Sequence, residues 1–363
     1  MKRVGFILAS LNVGGVEKNT LRLIKGLLNK EYKVDLLLVS NEGIYINQLD
    51  KRLNIINLNT KKVSRSIFKI SEYLKKYGPL ALITAKDYIN IIVILASLLS
   101  KTKTKIITST NTQVSIQLST QKKTSKIINK WLMRMIYPFA TNLVAVSMGV
   151  ADDLAAIIGV NVNKIHVIYN PIVDEEIRTN ENKFVDIPHI KSDDTLLVSA
   201  GRLSNEKDYP TLLEAIRIAK NKRNVKLIIL GEGEQRKNLE NMITRLELKD
   251  SVYLIGEVLN PYPYMKKADL FILSSRWEGF ANVIVEALAV GTPVVSTDCP
   301  SGPSEILDAG NYGLLVPVGD PKSLAEGIIE ALDKAWDKEL LKNRANKFSV
   351  EVAVNSYLDL IEF

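Results

Sequence analysis

Short apolar runs rich in β-branched residues recur along the chain, separated by stretches of helix length. In the first half they predict strands at Arg3–Ser10, Lys33–Ser40, Leu80–Thr84, Lys105–Ser109, Asn142–Val146 and His166–Tyr169. In the second half they predict strands at Thr195–Ala200, Val225–Leu230, Val252–Ile255, Leu270–Ser274, Val294–Ser296 and Gly313–Val316. Helices there are predicted at Tyr209–Lys220, Glu234–Leu246, Asn282–Ala289 and Pro321–Lys334. Alternation of strand and helix implies crossover connections, and crossovers join parallel strands. The pattern therefore predicts an α/β chain with two Rossmann-like, doubly wound parallel sheets. Pro171, Pro188 and many charges interrupt the rhythm between Asn170 and Asp194. The expected organisation is one domain over residues 1–170 and a second over 171–344, with a C-terminal helix over 345–363 returning to complete the first. Ligands of open parallel sheets sit beyond the carboxyl ends of the strands, so two such domains facing one cleft would carry their chemistry in the loops just after strands.

Composition narrows the class. With 46% hydrophobic and 24% charged residues, the chain is neither disordered nor collagen-like. Its single cysteine, Cys299, cannot form an internal disulfide, and no Cys or His cluster has metal-ligand spacing, which points to a reducing, cytoplasmic compartment. The apolar run at the N-terminus, Val4 to Leu11, reads as a buried first strand rather than a signal peptide. The longest apolar stretch, Ile89 to Leu99, is broken by Asn90 and Ser97 and falls short of the roughly 20 residues a membrane span requires.

Charge divides the halves. The net charge of +8 arises from a basic first half and a slightly acidic second half. Between residues 61 and 135 only Glu72 and Asp87 oppose the lysines and arginines, and no acid occurs from Tyr88 to Ala151. Such a tract is either a solvated face or a docking surface for an anionic partner.

Candidate chemistry lies where the strand pattern places it. After the first strand, Gly14 and Gly15 form a tight turn feeding a helix, a plain turn or a ligand contact, without the G-x-G-x-x-G of a dinucleotide site. After Ala200, the loop Gly201 to Asp208 offers the guanidinium of Arg202 and the ammonium of Lys207, suited to clamping a diphosphate whose charge grows as it leaves. Gly231-Glu232-Gly233 is a second glycine turn between strand and helix. Beyond Ser274, the segment Ser275-Arg276-Trp277-Glu278-Gly279-Phe280-Ala281-Asn282-Val283 opens a helix whose N-terminus favours phosphate. Glu278 precedes that helix, and Glu286, one turn inside it, can accept hydrogen bonds from a ribose diol.

The spacing from Glu278 to Glu286, together with Gly201-Arg202-Leu203, Lys207, Gly14-Gly15 and Gly231-Glu232-Gly233, resembles the retaining nucleotide-sugar glycosyltransferases of family 4, which have the GT-B fold. The resemblance is dense from Leu197 to Asp320 and includes Asn260 to Met265 and Asp298 to Ile306, stretches typical of bacterial surface-polysaccharide enzymes that often use UDP-sugars. In the first half it is confined to residues 4–40 and about 143–171. It implies that the first domain binds the acceptor and the second the donor. It further implies Arg202 and Lys207 on the donor diphosphate, Glu286 on the ribose, the backbone of Phe280, Ala281 and Asn282 on the donor, and Glu278 near the donor sugar. Gly14, Gly15, Gly231 and Val283 complete the expected substrate contacts.

One departure stands out. Many relatives carry a histidine near the reacting sugar, after the fourth strand of the first domain, where this chain has Thr108-Ser109-Thr110-Asn111. Asn111 can hydrogen-bond in its place but cannot act as a base. His166 and His189 read as structural. Retaining transfer tolerates the loss, because the departing phosphate oxygen can take the acceptor proton on the same face. No Asp-x-Asp pair is present, so the expectation is no metal and no cofactor.

Two other readings remain open on sequence. The fold also hosts epimerases and phosphorylases, although no pyridoxal phosphate motif is evident. A basic nucleic-acid-binding protein would use the aromatics Phe68, Tyr73, Tyr77, Tyr88 and Trp131, but their helical spacing reads as core or interface, and no nucleic-acid partner is expected. Two amphipathic basic segments, Lys61 to Lys76 with Ile67, Ile70 and Leu74, and Lys122 to Arg134 with Ile127, Trp131 and Arg134, are either helices packed on their own sheet or a docking face. Because they lie in the domain to which the resemblance gives the acceptor, the expected partner is an anionic membrane surface bearing a lipid-linked or oligosaccharide acceptor.

Overall fold

Thirteen strands form two all-parallel sheets in a computed structural model that describes residues 2–12, 14–60, 63–187, 190–191 and 194–362. The first sheet holds β1 (Arg3–Leu8), β2 (Lys33–Leu38), β3 (Asn54–Asn57), β4 (Ala81–Thr84), β5 (Lys105–Thr110), β6 (Asn142–Ala145) and β7 (Ile165–Val167), in the order β3-β2-β1-β4-β5-β6-β7. The second holds β8 (Thr195–Ala200), β9 (Val225–Leu230), β10 (Val252–Gly256), β11 (Leu270–Leu273), β12 (Val294–Thr297) and β13 (Leu314–Val316), in the order β10-β9-β8-β11-β12-β13. Each sheet grows outward in both directions from its first strand. The strand order therefore reverses between β1 and β4, and again between β8 and β11, the points at which open parallel sheets offer a crevice to ligands.

The chain divides into two compact units. Unit 1 comprises Met1–Ile172 and Val350–Phe363, and unit 2 comprises Val173–Ser349. In unit 2, Leu197, Leu227 and Leu270 of the central strands pack under Leu212 and Ile216 of the helix Tyr209–Ala219 and under Leu324 and Ile328 of the helix Pro321–Asp333. These strands are buried along nearly their whole length because helices cover both faces.

In unit 1, Val4, Phe6, Leu36 and Ile83 pack against Leu23, Ile24 and Leu27 of the helix Gly15–Asn29. The C-terminal segment, which reads as one helical stretch in sequence, is two helices. Lys338–Asn346 stays in unit 2, where Arg344 donates to the carbonyls of Glu305 and Ile306 at 2.5 and 2.8 Å. Val350–Glu362 belongs to unit 1 and contributes Ala353, Val354, Tyr357 and Ile361 to its core. Gly26 permits this docking, since a Cβ there would stand 2.5 Å from Val354 Cγ2. Glu362 then pairs with Lys2 and accepts a hydrogen bond from the Tyr32 hydroxyl, joining the two ends of the chain.

Strand β3 has no counterpart among the predicted elements. Its four residues, Asn-Ile-Ile-Asn, lie on a largely exposed sheet edge, where little apolar patterning is required. Of the two amphipathic basic segments, the first folds inward as the helix Ile67–Tyr77, with Ile70 and Leu74 fully buried. Lys61 and Lys62 lie outside the described residues. The second behaves differently: on the helix Lys123–Ile136, Ile127, Ile128, Trp131 and Met135 are all more than half exposed. No helix among the described residues is long and apolar enough to cross a membrane.

Candidate active site

Unit 2 brings the loops after β8 and β11 together. Lys207 ends a short turn, Asn205–Lys207, and its Nζ donates to Glu278 Oε1 at 2.6 Å. The Ser275 hydroxyl donates to the same oxygen, also at 2.6 Å, and the Ser274 hydroxyl donates to the Lys207 carbonyl at 2.7 Å. With side chains 18% and 11% exposed, the Lys207–Glu278 pair is shielded enough for its attraction to exceed that of a surface ion pair. Both bonds go to Oε1, and Oε2 of Glu278 takes none among the described residues. Arg276 is held away by Asp208, with Nε 3.0 Å from Oδ2. Arg202 is exposed and enters no ion pair among the described residues. The Cys299 thiol, buried beside Glu278, is pushed up to about 12 by burial first and by the Glu278 charge second, so it is neutral at physiological pH.

Glycines set the spacing of these loops. Gly231 has φ +151°, and a Cβ on it would lie 2.0 Å from the Gly201 carbonyl oxygen; at Gly233 the Leu203 carbonyl oxygen would be 2.4 Å away. The turn after β9 thus packs backbone to backbone against the Arg202 loop. The helix Asn282–Ala289 starts at Ala281, whose left-handed conformation (φ 69°, ψ 58°) provides no side-chain cap. Phe280 is buried and stacks edge-on against Phe348 with centroids 5.4 Å apart. Asn282 and Val283 are half-buried on the first turn, and Glu286 is 6% exposed on the second.

Gly14, Gly15 and Asn111 belong to unit 1, at the carboxyl ends of β1 and β5. Gly14 precedes its helix in an extended conformation open to any residue, but a Cβ there would lie 2.3 Å from Glu17 Oε2. Glu17 is buried, and its other oxygen pairs with Lys86 Nζ at 2.5 Å. Asn111 Nδ2 donates to the Ala85 carbonyl at 2.9 Å, so its amide is anchored to the end of β4. His166 lies exposed on β7, and His189 lies outside the described residues.

Sequence reasoning passed over three residues of this region. The Glu17–Lys86 pair joins the loops after β1 and β4, across 69 positions of sequence. The third, Asp87, opens the helix Asp87–Ser100 and accepts hydrogen bonds from Tyr137 Oη at 3.2 Å and Thr110 Oγ1 at 3.4 Å. Burial pushes its carboxyl up to about 6, Asp153 adds to the rise, and the two hydroxyls oppose it. A carboxyl raised on folding binds protons more readily than in the unfolded chain, so it lowers stability as pH climbs from about 4 to about 6 and leaves a constant cost above. Asp87→Asn keeps an acceptor for both hydroxyls and removes that cost. Its Tm should match the wild type near pH 4 and exceed it by several degrees at pH 7.5, for a gain of about 1–3 kcal/mol. Thermal melts across this range check the expectation; a gap that does not grow with pH would contradict it.

Comparison with known proteins decides the family. Residues 13–176 match Glycosyltransferase Family 4, and residues 180–348 match Glycosyl transferases group 1. The chain belongs to the family 4 glycosyltransferases.

This glycosyltransferase is 28% identical to the N-acetylgalactosamine-N,N'-diacetylbacillosaminyl-diphospho-undecaprenol 4-alpha-N-acetylgalactosaminyltransferase of Campylobacter jejuni, covering 95% of this chain and 94% of that protein. A second Campylobacter jejuni enzyme, an alpha-1,4-N-acetyl-D-galactosaminyltransferase acting on a diphospho-undecaprenol-linked glycan, is 26% identical over 99% and 98% of the two chains. Among solved structures, Anabaena HepE in complex with UDP and glucose superposes with a TM-score of 0.79 at 18% identity, covering 99% of each chain. The glycosyltransferase therefore has the GT-B fold, and its relatives build bacterial surface polysaccharides and glycans.

Proposed function

We propose that this glycosyltransferase moves a hexose or N-acetylhexosamine, with retention of anomeric configuration, from a UDP-sugar to a lipid-linked glycan acceptor. The observation that carries the reading is the cluster of Lys207, Ser275 and Glu278 beside the start of the helix Asn282–Ala289, at the point where the second sheet reverses its strand order. Unit 2 then binds the donor. Arg202 and Lys207 meet the diphosphate, the helix dipole adds positive potential, and the buried Glu286 takes the ribose. The backbone of Phe280, Ala281 and Asn282, together with Val283 and Gly231, shapes the rest of the donor pocket.

In this mechanism Lys207 does two things. Its ammonium neutralises charge that develops on the departing diphosphate, and it fixes the Glu278 carboxylate, whose second oxygen is left to steady the oxocarbenium-like sugar. The leaving phosphate oxygen takes the acceptor proton, so no side-chain base is required of Asn111. Cationic side chains and the helix dipole supply the positive charge, and transfer proceeds without a divalent ion. The Campylobacter relatives, which act on diphospho-undecaprenol-linked glycans, support the acceptor class, and the UDP held by HepE supports the donor nucleotide.

Unit 1, with Gly14, Gly15 and Asn111, binds the acceptor at the cytoplasmic membrane face. Support comes from the helix Lys123–Ile136, whose exposed Ile127, Ile128, Trp131 and Met135 are interleaved with Lys123, Lys126, Lys130 and Arg134, an apolar stripe edged by cations that suits an anionic bilayer surface. Each such cation contributes about 1 kcal/mol near anionic lipid. Vesicles containing phosphatidylglycerol should retain the protein at low salt and release it at high salt, whereas charge reversal at Lys122, Lys123 and Lys126 should abolish retention. Equal partition to neutral vesicles would overturn the surface assignment.

The reaction itself is tested with a panel of nucleotide sugars and a polyprenyl-diphosphate-linked N-acetylhexosamine, following nucleoside diphosphate release and the anomeric configuration of the product. An α-linked product from an α-linked UDP-sugar, formed equally well in EDTA, is expected. An inverted product, or activity lost in EDTA and restored by Mg²⁺, would overturn the mechanism.

A further inference from the structure

A narrow recess opens in unit 1 beneath the helix Gly15–Asn29, where β1, β4 and β5 end. Its walls are mainly apolar, with Phe6, Ile7, Leu23, Ile83 and Ile168 among them. Asn19 stands in this recess, 5% exposed, and neither its amide nitrogen nor its amide oxygen has a hydrogen-bond partner. A buried donor and a buried acceptor left unmet on one side chain are unusual, because each forfeits its bonds to water. Asparagine is also a poor helix former, and an apolar residue would satisfy the same walls. Asn19 therefore weakens the helix and the core it faces, which is understandable if its amide meets a ligand.

Shape and chemistry limit what that ligand is. The free volume of the recess is about 30 Å³, enough for a small substituent of a few heavy atoms. Its ligand has to offer an acceptor to Nδ2 and a donor to Oδ1, with an apolar end to lie against the walls. An acetamido group supplies the carbonyl and the methyl, and because its N–H points away from its carbonyl, the donor to Oδ1 is a hydroxyl of the same sugar. Ser109, Asn111 and Tyr357, which also line the recess, provide polar groups for neighbouring sugar hydroxyls.

We propose that the recess beneath the helix Gly15–Asn29 receives the acetamido group of an N-acetylated sugar on the acceptor, and that Asn19 reads it by donating from Nδ2 to the acetamido carbonyl while Oδ1 accepts from a neighbouring sugar hydroxyl. This inference rests on the reading that unit 1 binds the acceptor, and it adds the sugar class and the residue that selects it.

The test compares two acceptors with the same polyprenyl diphosphate and anomeric linkage, one ending in N-acetylgalactosamine and the other in galactose. Wild-type kcat/KM should favour the N-acetylated acceptor by at least about tenfold, a difference of about 1.4 kcal/mol. Asn19→Leu should bring the ratio close to one while leaving UDP affinity and slow donor hydrolysis unchanged, with Tm equal to or above the wild type. A wild-type ratio near one, as when ordered water alone fills the recess, or an unchanged ratio in Asn19→Leu, would overturn the proposal. Ligand-observed NMR with free N-acetylgalactosamine and galactose separates this failure from that of the acceptor reading. If the wild type transfers to neither lipid-linked sugar, the acceptor reading fails; the recess assignment then stands only if free N-acetylgalactosamine binds in preference to galactose and loses that preference in Asn19→Leu.

Discussion

Lys207→Ala should lower kcat by about 30- to 1,000-fold, which corresponds to about 2–4 kcal/mol of lost transition-state stabilisation. Two losses combine in this substitution. The departing diphosphate loses a cation whose interaction strengthens as negative charge develops, and Glu278 Oε1 loses the partner that stands 2.6 Å from it. Because the Ser275 hydroxyl still holds that oxygen and the side chain is partly exposed, the fold should survive with only a small change in Tm. Steady-state release of UDP measures the effect. Lys207→Arg keeps the charge but changes its reach, and it should recover only part of the rate, since a guanidinium is not a compact ammonium. A Lys207→Ala enzyme that turns over at near-normal rate would remove Lys207 from the chemistry.

Gly231→Ala should be the most damaging single methyl addition at the site. The new Cβ would lie 2.0 Å from the Gly201 carbonyl oxygen, so backbone rather than a flexible side chain has to move, and φ of +151° strains any residue with a Cβ. A cost of about 2–4 kcal/mol is expected, seen as a fall in Tm of roughly 5–10 °C. Donor affinity should fall with it, since the displaced segment leads straight into Arg202. Gly319→Ala provides the comparison: it also has positive φ, but nothing stands within 4 Å, so it should cost about 1 kcal/mol and leave activity intact. Equal losses in the two variants would show that conformational strain alone, and not loop packing, sets the effect at Gly231.

Much of unit 2 was legible because its signals are local. Thr195–Ala200 and Val225–Leu230 are short, mostly apolar runs ended by glycine, and Asn282–Ala289 is bounded by a loop and by Gly291-Thr292-Pro293; the structure places all three at the predicted residues. Harder to read was anything created by the meeting of distant segments. Lys207 and Glu278 are each visible as candidates, but nothing in a sequence separation of 71 positions says that they touch. Asp87 looks like an ordinary acidic residue at a helix start, and Asn19 like a surface position of an amphipathic helix. Their character comes from neighbours that the sheet brings to them, Tyr137 and Thr110 for the first and the apolar recess for the second. The break between the two C-terminal helices is silent for another reason: Lys347, Phe348 and Ser349 include neither proline nor glycine, and the turn is fixed by Val173 donating to the Phe348 carbonyl at 3.1 Å.

The return of Val350–Glu362 to unit 1 bears on how the chain is made. Unit 2 is continuous in sequence and can close as soon as Ser349 has left the ribosome. Unit 1, although synthesised first, lacks Val354, Tyr357 and Ile361 until the helix Val350–Glu362 emerges, and until then the helix Gly15–Asn29 has an uncovered apolar flank at Gly26. The half that is translated first is thus the half completed last, and a nascent chain passes through a stage with a finished second domain and an open first one, the interval in which a holding chaperone would find its apolar surface.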